Sequence, residues 1–143
     1  MPRKLAPTLL LLSALTATTA AAAPFLGHEK QIQLSPPRLG QAPVVDGRVD
    51  ASEWSAAAQL EGFTHGRPIE GVRDSLGTTC FVGYDDKNLY VAFRCRELPG
   101  MVQAPISNRD NIWSGDWVGV SIDSYHDRQH SYFIGANPQG VQA

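Results

Sequence analysis

Residues 78–96 read TTCFVGYDDKNLYVAFRCR, two alternating apolar runs on either side of an acidic turn. Cys80, Val82 and Tyr84 share one face of the first run, and Leu89, Val91, Phe93 and Cys95 share one face of the second. Period-2 alternation around Asp85-Asp86-Lys87-Asn88 predicts a β-hairpin with one buried face. A loop of either two or four residues pairs Tyr84 with Leu89, Val82 with Val91 and Cys80 with Phe93. That register puts every apolar side chain on the same side, the one expected to be buried. In it Cys95 faces Thr78, so Cys80 and Cys95 are diagonal neighbours. Diagonal Cα separations are about 7–8 Å, just past the usual disulfide limit of about 6.8 Å. A bridge therefore needs a bulge, and Gly83 is the residue that would supply it; otherwise the two thiols are small hydrophobes on a core face.

The chain has 143 residues, 12 basic and 14 acidic. Its start has the layout of a secretory signal peptide: Arg3 and Lys4, then Leu9 to Leu15, then small residues ending in Ala20 to Ala23. The apolar run is shorter than the roughly 20 residues a spanning helix needs. Pro24 disfavours cleavage after Ala23, so cleavage is expected after Ala22, leaving residues 23–143. This predicts export to the periplasm or the extracellular space. Without Arg3 and Lys4 the formal charge is −4, and the chain has no Lys/Arg-rich run of the kind that marks a nucleic-acid surface. No later segment reads as a membrane-spanning helix.

Residues 23–43 read as an extended leader, with Pro24, Pro36, Pro37 and Pro43 around one short edge strand, Gln31 to Leu34. Asp50-Ala51-Ser52-Glu53 has the acidic cap and the glutamate three residues on that begin a helix, predicted over residues 51–60 and stopped by Gly62. Trp54 is expected to plug the core. Residues 64–77 form a surface loop, and a second long loop follows over 97–112. Residues 117–123 alternate with Val118, Val120 and Ile122 inward and Trp117, Gly119 and Ser121 outward. Residues 130–136 make one more strand, followed by a turn at Asn137-Pro138-Gln139-Gly140. The return strand after that turn looks unfinished, as in a truncated sheet.

The order VDGRVDASEW (45–54), TTCFVGYDDKNLYVAFRC (78–95), RDNIWSGDWVGVSID (109–123) and SYFIGANPQGVQ (131–142) resembles family 9 carbohydrate-binding modules of bacterial exported proteins. NRDNIWSGDWVGV and DSYHDRQHSYFIGANPQGVQ look most like a version that precedes a β-rich, barrel-like domain of unknown function. The resemblance runs from about Val44 to Gln142. It implies an all-β fold, an antiparallel sandwich with one short helix, here as an incomplete module over 44–143. It also implies a non-catalytic module that binds xylan- or cellulose-type polysaccharide in carbohydrate catabolism and is often joined to glycoside hydrolases. Outer-membrane association through a further C-terminal domain would follow from the same likeness.

Sugars lay their C–H faces on aromatic rings and reach for polar side chains at the rim. Relatives in this family clamp a chain end between two tryptophans. Trp113, in the loop Asn108 to Ile112, is the candidate ring, with Arg109 and Asn111 for hydroxyls. The alternative is Trp113 as a lid on the core, with Arg109 paired to Asp110 or Asp116. The second tryptophan of the clamp is expected beyond Ala143, or missing. Family members can hold structural calcium; Asp46, Asp85, Asp86, Asp110 and Asp116 sit at turns or strand ends and could serve. His126 and His130 are four apart but flank a strand, so they lack the shared helical face of zinc ligands. No pair of carboxylates is set in apolar surroundings as a glycosidase requires. Two other functions compete: a structural domain packing on a downstream β-rich domain, and a haem-binding sandwich using Met101, His65, His126 or His130.

Overall fold

The computed structural model describes residues 25–26, 34–66 and 69–143. The expected signal peptide and residues 31–33 of the expected leader strand lie outside them, and Leu34 is irregular. The chain is all-β. Its elements are β1 (Phe25–Leu26), α1 (Ala51–Trp54), β2 (Ala58–Glu61), β3 (Thr78–Tyr84), β4 (Leu89–Cys95), β5 (Val118–Ile122) and β6 (Tyr132–Ala136). They form a four-stranded sheet in the order β1-β2-β3-β4 and a separate two-stranded sheet, β5-β6. Among these strand pairs β1 with β2 is parallel and the others are antiparallel.

The β3–β4 register agrees with the alternation: Tyr84 opposes Leu89, Val82 opposes Val91, Cys80 opposes Phe93 and Thr78 opposes Cys95. Asp85 makes the turn. Its carboxylate accepts the backbone N–H of Lys87 at 2.8 Å and of Asn88 at 2.7 Å, and the Tyr90 hydroxyl at 2.8 Å. These donors hold its pKa below the ordinary carboxylate value.

The core lies on the other face from the one the apolar alternation marks. Phe81, Tyr90 and Ala92 point to Leu39, Trp54, Ala57 and Val49, which form the hydrophobic cluster. On the alternating face Cys80 is buried, Val82, Val91 and Phe93 are half-buried, and Tyr84, Leu89 and Cys95 are exposed. The reason is what covers the sheet. Trp54 brings a large ring to Phe81, with centroids 6.1 Å apart and planes at 59°, and Arg94 lies 5.2 Å from the centre of the Phe81 ring. Leu39, assigned by sequence to the leader, belongs to this core. The leader docks beside β3 through Leu39 N–H to the Tyr84 carbonyl at 2.8 Å and Tyr84 N–H to the Pro37 carbonyl at 3.1 Å.

Gly83 marks this close approach and not a bulge. A Cβ there would meet Leu39 Cγ at 2.7 Å, and the β3–β4 ladder runs through it without interruption. With no bulge to shorten the diagonal, Cys80 and Cys95 remain free thiols. Burial pushes the Cys80 thiol up to about 11, with the charge of Cys95 adding to it. Iodoacetamide is therefore expected to label Cys95 in the folded protein and Cys80 only after unfolding, as peptide mass mapping would show. Equal labelling of both in native conditions would contradict this burial.

The helix is shorter than its sequence predicts. It spans one turn, and Asp50 caps it with its backbone carbonyl, which accepts the N–H of Glu53 and Trp54 at 3.1 Å, and not with its side chain. Residues 58–60, expected to be helical, pair instead with β3: Ala58 opposite Val82 and Leu60 opposite Cys80. The gain of a ladder partner and burial outweighs the helix preference of Ala56 to Leu60.

Candidate functional site

The second sheet carries the site. Residues opposite each other in an antiparallel pair share a face, so Val118, Val120 and Ile122 lie with Ala136, Ile134 and Tyr132, while Gly119 and Ser121 lie with Gly135 and Phe133. Phe133 covers both glycines. A Cβ on Gly119 would sit 2.4 Å from the Phe133 ring, and one on Gly135 would sit 2.7 Å from it. The glycines are there because the ring lies flat on the strand backbone.

Trp113 and Trp117 flank that ring. Trp113 is 5.3 Å from Phe133 at 42°, Trp117 is 5.6 Å from it at 82°, and the two indoles are 5.2 Å apart at 83°. Edge and tilted contacts of this kind are favoured by the ring quadrupoles and contribute about 0.5–1.5 kcal/mol each beyond burial. Yet Trp113 remains 52% exposed and Trp117 45%. The trio is thus preorganised and still presents aromatic surface to solvent.

The loop that carries the tryptophans is anchored at several points. Ile112, next to Trp113, is the most buried side chain among the described residues, at 1% exposure. Asn111 N–H reaches the Asn108 carbonyl at 3.1 Å, and Asp110, at φ 65°, donates its N–H to the Gln142 carbonyl at 2.9 Å. Asp116 clamps Gln103 twice at 2.8 Å, donating its backbone N–H to the Gln103 carbonyl and accepting the Gln103 N–H on its carboxylate. Gly115 permits this approach, since a Cβ there would meet the Gln103 carbonyl oxygen at 2.5 Å.

Of the residues singled out by sequence, Trp113 is central, while Arg109 and Asn111 are exposed on the same loop. Arg109 approaches Asp110 at 3.9 Å, a loose exposed pair. The aromatic neighbours of Trp113 are Trp117 and Phe133 of the second sheet. A second exposed tryptophan thus lies within the chain, at Trp117. Sequence reasoning marks Trp117 as outward but misses its partnership with Trp113, which depends on where Phe133 falls across the strand pair.

The carboxylates considered for calcium are dispersed. Asp46 accepts the Arg48 N–H, Asp85 holds the hairpin turn, Asp86 pairs with Arg38, Asp110 faces Arg109 and Asp116 binds Gln103. The loop between β5 and β6 is tighter. Asp123 accepts the N–H of Arg128 at 2.8 Å, and Asp127 accepts those of Gln129 and His130 and meets the His130 ring Nδ1 at 2.7 Å. These contacts, Arg128 first for Asp123 and His130 first for Asp127, lower both carboxyl pKa values. Among the described residues no three His, Cys, Asp or Glu side chains gather as a metal site. Nor is any helix there long and apolar enough to cross a membrane.

No protein-family model, curated protein or solved structure matches this chain.

Proposed function

We propose that this chain is a non-catalytic carbohydrate-binding module of an exported protein, recognising xylan- or cellulose-type chains. The observation that carries the reading is the prepacked trio Trp113, Trp117 and Phe133, in which both indoles remain exposed. Indoles held half out of water on a loop anchored by hydrogen bonds suit the C–H face of a pyranose, which gains contact without ordering a floppy side chain. Arg109 and Asn111, on the same loop, are the donors and acceptors for the sugar's hydroxyls. The reading includes a sandwich arrangement of the two sheets. Titration with xylo- and cello-oligosaccharides should change tryptophan fluorescence, and Trp113→Ala should weaken binding at least about tenfold, or 1.4 kcal/mol. A folded protein that responds to no oligosaccharide would sink the proposal.

A second reading, a structural domain that packs on a further β-rich domain, draws on the outer edge of β4. Asp85 N–H to the Asn88 carbonyl at 2.9 Å and Arg96 N–H to the Gly77 carbonyl at 3.1 Å bracket the hairpin ladder. By alternation, the backbone groups of Leu89, Val91 and Phe93 point away from β3. Among the described residues no strand pairs with them, and open edges of this kind take up partner strands. Hydrogen exchange at these three amides separates the readings: slow exchange in a protein extended by further domains, against fast exchange in this chain alone, would favour the structural role. Haem binding has less support, since Met101, His65, His126 and His130 line none of the clefts beside α1, β4 or β3.

A further inference from the structure

We infer that the aromatic site grips internal units of a linear polysaccharide from one side and does not read the chain's end, an inference that rests on the sugar-binding reading above. A pyranose slotted between two rings touches both. The ring planes must then be parallel and about 7–8 Å apart, two carbon contacts of 3.5–4.0 Å each. Trp113 and Trp117 have centroids 5.2 Å apart and planes at 83°. They touch each other, edge to face, and no flat ring fits between them. Phe133 closes no slot either, being in contact with Trp113 at 5.3 Å and with Trp117 at 5.6 Å.

The floor beside the rings is low. On this face β5 and β6 offer Gly119, Ser121 and Gly135, with Phe133 lying over the two glycines. Apart from Phe133, which lies down over the glycines, these strands put no bulky side chain on this face. Selecting a chain end requires a wall, because discrimination comes from a clash with the unit that would continue past it. An open platform lets the chain run on in both directions. Each added unit then multiplies the binding registers, and the chemistry of the terminus is irrelevant.

The test uses the full chain and matched ligands: xylohexaose and cellohexaose, each intact and with its reducing end converted to the alditol. Within each pair the affinities should agree to about twofold, and lengthening from the trisaccharide to the hexasaccharide should strengthen binding. Trp113→Ala should weaken binding of intact and reduced forms alike. A loss of about tenfold or more on reduction of the end would overturn the inference and leave sugar binding standing. Silence toward every sugar, in protein shown to be folded, would overturn both.

Discussion

Trp54→Ala should lower the stability of the folded chain by about 3–5 kcal/mol, the range for truncating a buried tryptophan. Trp54 is 5% exposed and touches Phe81, at the centre of a small cluster with Leu39 and Ala57. Few other buried side chains are available to close the void, so the cost should fall near the top of that range. The conservative variant separates two contributions. The Trp54 indole Nε1 is buried and has no hydrogen-bond partner among the described residues. An unpaired buried donor costs about 1–3 kcal/mol, so Trp54→Phe, which removes it, should lose much less than Trp54→Ala. Urea unfolding with unchanged slope and a lowered midpoint would measure both. Equal losses for the two variants would mean that the indole N–H has a partner and that its loss matters as much as volume.

Gly119→Val should have the second large effect, and it couples packing to binding. Its Cβ would lie 2.4 Å from the Phe133 ring and 3.0 Å from the Ile134 carbonyl oxygen. The ring must leave the sheet, since the backbone oxygen cannot. Overpacking of this kind costs about 1–3 kcal/mol. Because Phe133 contacts both tryptophans, its displacement should also disturb the platform and cut oligosaccharide affinity by about tenfold or more. Near-ultraviolet circular dichroism would report the change in aromatic packing without any ligand. Wild-type affinity in a folded Gly119→Val protein would show that Phe133 does not position the tryptophans.

Which parts of this structure can be read from sequence follows from the range of the forces involved. The β3–β4 register is local: alternation on both sides of a short turn determines which residues oppose each other. Which face is covered is not local. Leu39 and Trp54 reach Phe81 from 42 and 27 residues away, and nothing in residues 78–96 announces them. Gly83 shows the same limit, because a strand glycine signals either a bulge or a close approach, and only the position of Leu39 decides. Residues 58–61 have good helix formers, yet the free edge of β3 takes them as a strand. At the site, Trp113 stands out as a tryptophan in a polar loop. Trp117 and Phe133 join it only once Ser121 is placed opposite Phe133.

The three tryptophans give a direct test, since the chain contains only Trp54, Trp113 and Trp117. Each has one indole N–H, resolved in a nitrogen–proton correlation spectrum and assigned by single Trp→Phe variants. Saturating xylo- or cello-oligosaccharide should shift the Trp113 and Trp117 signals and leave Trp54, buried beneath the other sheet, in place. A spectrum in which neither Trp113 nor Trp117 moves at any sugar concentration would contradict the carbohydrate-binding account.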